Sequence, residues 1–215
     1  VVTKSELGEQ TTEGLPITVH YQLPEIDAAY TVDYFIENSG DIKVTASIKI
    51  NDEKTTEMPR FGMRMVLNEA YDQLQYYGRG PLENYSDRKE AAFFGTYKDD
   101  VKNQFTWTYI RPQESGYHTD TRWLSLANES GKGLKVIGAQ PLGFSALHVS
   151  TEDLDPGMSK DQKHPTDITV EDEVFLHIDL KQRGLGGLNS WGQYPFREYR
   201  LEDKEYTYTY TLSLF

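Results

Sequence analysis

The sequence predicts an all-β domain built as an antiparallel sandwich, and three observations support this prediction. The first is the composition, since 15 Tyr, 9 Phe and 3 Trp occur beside many Thr and Val, and these residue types suit a pleated, half-buried surface. The second is the alternation of apolar and polar residues in several segments. The third is the recurrence of turn residues about every eight to twelve positions. A chain of 215 residues is long enough to bury a sizeable core as one domain.

The clearest strand is Ile42–Ile50, in which every even-numbered residue is apolar and every odd-numbered residue is polar. This alternation directs one face towards a core and the other towards water. The preceding segment Thr31–Ile36 is connected to it by Asn38–Asp41, whose composition predicts the turn of an antiparallel hairpin. The other predicted strands are Phe61–Leu67, Leu74–Tyr77, Gln104–Ile110, Arg122–Leu126, Leu134–Ala139, Phe144–Val149, Glu173–Leu180 and Tyr206–Leu212.

Helix signals are scarce in this sequence. Thr151–Leu154 predicts a single helical turn with Thr151 as the N-cap and acidic residues near its positive end. Asp155-Pro156-Gly157 ends that turn directly. The remainder of the stretch from Ser150 to Glu173 is highly charged and predicts a solvated loop.

Charge and cysteine content exclude several classes of function. The 22 basic and 34 acidic residues give a net charge of −12, which repels phosphate backbones and anionic membranes, so we expect neither nucleic acid nor a membrane as partner. The absence of cysteine excludes disulfides, cysteine-zinc sites and thiol nucleophiles, and it leaves both the bacterial cytoplasm and the periplasm open. The 5 histidines never have the spacing of a local metal pair, so no metal site is predicted.

One stretch that carries chemistry is Gly78–Arg88. Its Gly and Pro residues force a turn after a strand, and a run of hydrogen-bonding side chains follows, among them Glu83, Asn84, Tyr85, Asp87 and Arg88. The favoured interpretation is structural, in which Asp87 or Glu83 pairs with Arg88 or Arg79 and holds the turn. Direct contact with a ligand is the alternative.

A second stretch, Gly184–Gly192, carries Trp191 among glycines and small residues. Glycine supplies no packing and lets a loop approach another molecule closely. Aromatic faces stack on the C–H faces of sugars, so Trp191 is a candidate platform for a carbohydrate. Ordinary burial of the indole is the alternative that composition leaves open.

These stretches resemble a known family. Gly78–Arg88 resembles the GxGPxENYxDR motif in the C-terminal sandwich domain of the glycoside hydrolase family 2 β-galactosidases. Three further stretches resemble motifs of that family in the same order, namely Arg111–Gly116 with Thr121–Leu124, Phe144–His148 with the segment ending at Gly157, and Gly184–Trp191. The similarity as a whole extends from about Val32 to Phe215.

The resemblance implies an antiparallel β-supersandwich of the galactose mutarotase type that packs against an upstream catalytic barrel. In the family the catalytic glutamates and the magnesium ligands belong to that barrel, so we expect no catalytic residue, metal site or cofactor in this chain. We predict that residues 31–215 form the sandwich domain, and that residues 1–30 are the end of a linker or preceding strands, partly ordered. We also expect an N-terminally truncated sandwich, whose open edge would allow a homo-oligomer.

By the same resemblance, the parent enzyme hydrolyses terminal β-D-galactosides such as lactose by retaining double displacement, and this fragment alone is inactive. Trp191 matches the tryptophan that reaches the active-site mouth and stacks on the leaving group or an acceptor sugar. Asn189 and Ser190 are further candidates for substrate binding. Leu188-Asn189 replaces two aspartates that the family usually has there, which removes two charges.

Two other functions are alternatives to this interpretation. One is a stand-alone carbohydrate-binding module. The other is an aldose 1-epimerase-like enzyme that would use His148 or His177 together with Glu114.

Overall fold

The structure is a computed structural model that describes residues 1–155, 157, 163–189 and 191–215. Its strands are all antiparallel, which confirms the predicted all-β class. The strands are β1 (Val2–Leu7), β2 (Gly14–Leu23), β3 (Ala28–Glu37), β4 (Ile42–Ile50), β5 (Arg60–Leu67), β6 (Gln73–Gly80), β7 (Phe93–Asp100), β8 (His118–Ala127), β9 (Gly133–Leu147), β10 (Val174–Gln182) and β11 (Glu205–Leu214).

The strands form one branched sheet that folds into two layers. The main path runs β1-β2-β3-β4-β11-β9-β8-β6-β7. Strand β10 lies off this path and pairs with both β9 and β5. The predicted hairpin is confirmed as β3 and β4, which pair from Ala28↔Ile50 to Ile36↔Ile42. Residues 1–30 contain β1, β2 and the first residues of β3, and β1 pairs with β2.

β9 joins the two layers because it hydrogen-bonds in both. Its first half pairs with β11 from Leu134 to Gly138, and its second half pairs with β10 from Gly143 to Leu147. Where β9 leaves β11, the side-chain amide of Gln140 takes over the pairing. Its Nε2 donates to the carbonyl oxygen of Thr209 at 3.1 Å, and its Oε1 accepts from the Thr209 amide at 3.2 Å. The divergence therefore leaves neither backbone group of Thr209 unpaired.

The core lies between β5 and β10 on one side and β11 on the other. The Phe61 ring packs against Tyr206 and Tyr208 with centroid distances of 5.8 and 5.5 Å. Tyr208 is buried, and its hydroxyl donates to the Ile178 carbonyl oxygen at 2.8 Å. A buried tyrosine needs such a partner, so this hydrogen bond fixes the separation of the layers.

The strand predicted at Gln104–Ile110 is wrong. A 3₁₀ turn at Val101–Asn103 precedes irregular chain in this region. Phe105 is buried in a small cluster with Leu147, Val149 and Leu154, and the Thr106 amide donates to the Ser115 hydroxyl at 2.7 Å. The aromatic alternation thus reflects packing against several different elements. The Thr106 backbone amide therefore donates to a side-chain oxygen, whereas in a strand it would donate to the backbone of a neighbouring strand.

The single helical turn is confirmed as α1 (Thr151–Leu154), with Ser150 at the N-cap in place of the predicted Thr151. The Thr151 hydroxyl is hydrogen-bonded to His177 Nε2 at 3.1 Å, so it does not cap the helical turn. Pro156, predicted to end this turn, lies outside the described residues. No helix among those described has the length and apolarity needed to cross a membrane.

An ion cluster around the buried Asp179 connects β5 to β10. Arg60 Nε lies 2.9 Å from Asp179 Oδ2, and Arg60 Nη2 lies 3.0 Å from Glu114 Oε1. Burial raises the pKa of Asp179 to about 7 against the opposing charge of Arg60, and the like charge of Glu114 adds to this shift. One guanidinium therefore faces two carboxyl groups. The stability that protonated Asp179 contributes is complete at acidic pH and is lost as the pH rises to about 7.

We expect Arg60→Met to lower the free energy of unfolding at pH 7 by about 1–3 kcal/mol, because it removes the hydrogen-bonding partner of the buried Asp179 and the half-buried Glu114. Urea denaturation would measure this loss. Arg64→Met is the matched control, because its partner Glu152 is exposed and such pairs contribute about 0–1 kcal/mol. Equal losses in the two variants would contradict the assigned role of Arg60.

We also expect Asp179→Asn to reduce the pH dependence of stability. In the unsubstituted protein, proton uptake by Asp179 should increase the free energy of unfolding as the pH falls from 7 to 5, by up to about 1.4 kcal/mol per pH unit. The amide cannot titrate, so the variant should lack this contribution. Parallel pH profiles of the two proteins in urea denaturation would exclude a titrating Asp179.

Candidate functional site

Trp191 lies on the connection between β10 and β11. Residues 183–200 of this connection are here called the tryptophan loop. Its side chain is 92% exposed, so the indole does not belong to the core. Asn189 shapes the tip of the loop, because its Oδ1 accepts from the Trp191 amide at 2.9 Å and its Nδ2 donates to Gln193 Oε1 at 2.9 Å. Ser190 lies outside the described residues. Both polar groups of the Asn189 side chain are thus engaged within the loop.

The tryptophan loop exposes other large apolar side chains besides the indole. These are Leu185, Leu188, Tyr194 and Phe196. Single exposed apolar residues are ordinary, whereas several on one short segment are typical of a surface that contacts a ligand or another protein domain. The loop therefore has the character of a contact surface.

Asp87 attaches one stem of the tryptophan loop to the Gly78–Arg88 turn. Its two carboxylate oxygens accept from the backbone amides of Leu185 at 3.0 Å and Gly186 at 2.8 Å. Gly184 makes this approach possible, since a Cβ there would lie 2.6 Å from the Asp87 carboxyl carbon. Sequence reasoning singled out both stretches but did not predict their contact.

Glu57 connects the two ends of the tryptophan loop to each other. Its carboxylate lies 2.7 Å from Arg183 Nη1 and 2.6 Å from Arg200 Nε. Both guanidinium groups also lie over the Tyr194 ring, at 5.7 and 4.9 Å from its centroid. Although burial alone would raise it, hydrogen bonds from Arg200 and Arg183 hold the pKa of Glu57 below its usual value. Sequence reasoning missed Glu57 because no local pattern marks it.

Glu83 and Arg88 interact inside the turn itself. Arg88 Nη2 donates to Glu83 Oε1 at 2.8 Å, as one of the predicted pairings required. Glu83 also accepts from the Gly116 amide at 2.8 Å and from the Tyr109 hydroxyl. Arg79, the other cation that the prediction allowed, pairs outside the turn, because its Nε lies 2.7 Å from Asp120 Oδ2.

Asn84 and Tyr85 complete the turn, and both are buried. The Asn84 amide nitrogen donates to the Arg79 and Leu82 carbonyl oxygens at 3.1 and 3.0 Å, and its oxygen accepts from the Thr119 amide at 2.9 Å. The Tyr85 ring stacks on Tyr117 at 5.8 Å. These side chains therefore contact other groups of the chain, and they hold the segment that carries Asp87.

The two candidate histidines of the epimerase alternative, His148 and His177, have separate partners. His148 Nδ1 is hydrogen-bonded to the Glu173 carbonyl oxygen at 3.0 Å, whereas His177 Nδ1 lies 3.2 Å from Arg60 Nη1. His177 is opposite Ser145 in the register of β9 and β10, so the strand pairing separates the two rings. Burial, followed by the charges of Arg60 and Arg64, lowers the pKa of His177 to about 3.

The remaining pair of the epimerase alternative, His177 and Glu114, shares Arg60 as partner. The cavity that they line has a volume of about 10 Å³. This is at the lower limit for one water molecule, and it cannot hold a sugar. The geometry therefore offers no support for epimerase chemistry.

Comparison with protein families and comparison with known sequences both find β-galactosidases. The model of a family described as the β-galactosidase small chain matches residues 2–212. The β-galactosidase of Priestia megaterium is 36% identical over 197 residues, which are 91% of this chain and 18% of that protein. The β-galactosidase of Pseudoalteromonas haloplanktis is 35% identical over 181 residues, 84% of this chain and 16% of that protein. The chain thus spans less than a fifth of the length of these relatives.

Two solved structures are similar along the chain at low identity. One is a galactose mutarotase related enzyme from Lactobacillus acidophilus, with a TM-score of 0.44 and 9% identity, covering 99% of this chain and 71% of that one. The other is a putative aldose 1-epimerase from Escherichia coli K12, also with a TM-score of 0.44 and 9% identity, covering 99% and 69%.

We expect Asp87→Ala to release the near stem of the tryptophan loop. Hydrogen bonds to a charged group contribute about 1.5–3 kcal/mol, so the amides of Leu185 and Gly186 should exchange with solvent deuterium about 10- to 100-fold faster. Hydrogen exchange followed by NMR would measure this. Asp172→Ala is the control, since the described residues offer its carboxylate no hydrogen bond. Unchanged exchange at both amides would contradict the role of Asp87.

Proposed function

Because this chain belongs to the β-galactosidase small-chain family, we propose that it is the part of a β-galactosidase that completes the pocket for the leaving group. The observation that carries this proposal is the indole of Trp191, 92% exposed at the tip of a loop whose stems are held by carboxylates. In this proposal the whole enzyme is a glycoside hydrolase of family 2 and acts on terminal β-D-galactosides such as lactose.

The proposed chemistry divides between two parts of the enzyme. A catalytic barrel outside this chain supplies the two carboxyl groups of a retaining double displacement, which lie about 5–5.5 Å apart in such enzymes. This chain makes and breaks no bond, so alone it is inactive. The short length of the chain relative to its β-galactosidase relatives supports such a division.

Trp191 binds the leaving sugar or an acceptor sugar through its aromatic face. The C–H face of a pyranose stacks on an aromatic ring and displaces water from it. The contacts of Asp87 and Glu57 with the loop stems favour this function, because a loop ordered before binding loses less conformational entropy when the sugar arrives. The same ordering would hold the leaving group in line with the catalytic carboxyl groups.

Asn189 contributes to the proposed site by shaping the loop. Both its oxygen and its nitrogen are hydrogen-bonded within the loop, so we assign it the support of the Trp191 backbone. Leu188-Asn189 makes the tip uncharged, which suits a neutral sugar. The other exposed apolar side chains of the loop, among them Tyr194 and Phe196, are proposed to contact the catalytic domain.

We expect Trp191→Ala in the β-galactosidase that carries this chain to raise the KM for lactose by about 3- to 10-fold, the equivalent of one aromatic stacking contact of about 0.5–1.5 kcal/mol. Inhibition by free galactose should stay unchanged, because the indole is proposed to contact the leaving sugar. Trp191→Phe should restore part of the loss. Steady-state kinetics with lactose and galactose would measure these effects.

The matched control is Trp107→Ala, which removes a half-exposed indole that packs on Phe105 with a centroid distance of 4.5 Å. Its KM for lactose should equal that of the unsubstituted enzyme. If Trp191→Ala also left lactose kinetics unchanged, the proposed role of Trp191 would be wrong. A rise in the inhibition constant of galactose equal to the rise in KM would instead assign the indole to the galactose side.

A further inference from the structure

A cleft of about 530 Å³ opens beside the stems of the tryptophan loop. It is lined by the turn between β6 and β7, the start of β8, the bend of β9, the end of β10 and the segment that precedes β11. Its volume falls within the range of roughly 300–1,000 Å³ that is typical of small-molecule sites. Trp191 is not among its lining residues, so the cleft is separate from the proposed leaving-group contact.

One hydroxyl group in the cleft wall has an unmet hydrogen bond. Ser86 and Tyr117 both line the cleft, and among the described residues the Ser86 hydroxyl oxygen has no hydrogen-bond partner. Tyr117 is buried, and its hydroxyl faces Asp179. A buried polar group without a partner costs about 1–3 kcal/mol. A ligand that carries hydroxyl groups would recover this cost.

The charges around the cleft balance, although the chain as a whole is acidic. Three basic and three acidic residues line it, namely Lys89, Lys181, Arg200, Glu90, Asp120 and Glu198. Lys89 Nζ lies 3.1 Å from Asp120 Oδ2, which neutralises one of these pairs locally. Neither an anion nor a cation is favoured by such a lining, so the ligand it suits is neutral and polar.

The apolar part of the lining completes the character of the site. Leu142, Leu180 and Leu201 supply aliphatic surface, and Tyr199 supplies an aromatic ring. A pyranose presents a C–H face and a hydroxyl edge. Aliphatic surface and an aromatic ring suit the first, and hydroxyl groups together with charged groups of zero net charge suit the second. We infer that this cleft is a second carbohydrate site, which binds a neutral mono- or disaccharide.

The cleft also shares its wall with a stem of the tryptophan loop. The Tyr199 carbonyl oxygen accepts from the Gly184 amide at 2.8 Å, and Asp87, which holds that stem, is adjacent in sequence to Ser86 in the cleft wall. A sugar in the cleft would therefore contact the segment that orders the loop. Occupation of one site would alter the affinity of the other through this shared segment.

The test is titration of the 215-residue chain with galactose, glucose and lactose, followed by calorimetry and by ligand-observed NMR. We expect a dissociation constant on the order of 1 mM for at least one of these sugars. Galacturonate and galactosamine should bind no more tightly than galactose. Trp191→Ala should leave this affinity unchanged, whereas Tyr199→Ala should weaken it about 10-fold through loss of the stacking surface.

Glu198→Trp provides a second variant, because it adds bulk at an exposed position of the lining and does not touch the core. It should also weaken binding while circular dichroism and the melting temperature stay unchanged. Absence of binding at 50 mM sugar, on the order of 50 times the expected constant, would overturn the inference. The inference would equally be overturned if Trp191→Ala abolished sugar binding while Tyr199→Ala and Glu198→Trp left the affinity unchanged. Both outcomes are independent of the lactose kinetics that test Trp191 in the enzyme.

Discussion

The architecture depends on a single strand that must satisfy its backbone hydrogen bonds in both layers of the sandwich. β9 pairs with β11 over its first half and with β10 over its second half, and β8 pairs along its other edge. An unpaired buried N–H or C=O is costly, and where β11 and β10 diverge, Gln140 bonds to both backbone groups of Thr209. The same bend forms one wall of the 530 Å³ cleft.

The tryptophan loop obtains its order from charged side chains outside it. Asp87 and Glu57 lie on different parts of the chain. Asp87 binds one stem of the loop through backbone amides, and Glu57 binds both stems through two arginines. The loop has little core of its own, since its large apolar residues are exposed. Its position is therefore set by directional hydrogen bonds, which specify geometry more strictly than nonpolar packing does.

Much of the fold could be predicted from the sequence where a strand has one buried face. Ile42–Ile50 alternates strictly and forms β4 over the same residues. β1, β2 and β7 were missed for the opposite reason. Every residue of β1 is exposed, no residue of β2 after Gly14 is buried, and β7 begins with two exposed phenylalanines followed by glycine. Without a buried face there is no period of two to detect. At Gln104–Ile110 the pattern was present, but its aromatic residues contact separate elements.

The candidate site was predictable only in its local parts. Glycines around an indole indicated that Trp191 was unusual, and the density of polar groups indicated an organised turn at Gly78–Arg88. The contact between these stretches joins residues 98 and 99 positions apart, and the role of Glu57 depends on arginines 126 and 143 positions away. Such distances are set by the tertiary fold, so no window of sequence contains them.

Gly184 and Asp87 illustrate what this arrangement means for the history of the chain. The carboxylate occupies the space into which any side chain at position 184 would extend, and it also holds the amides that follow. A side chain at position 184 would occupy the space of the Asp87 carboxylate. Replacement of Asp87 would remove the hydrogen-bond acceptor of the two amides. The two positions are therefore expected to diverge together among descendants, as a correlated pair in which one exchange is tolerated only after the other.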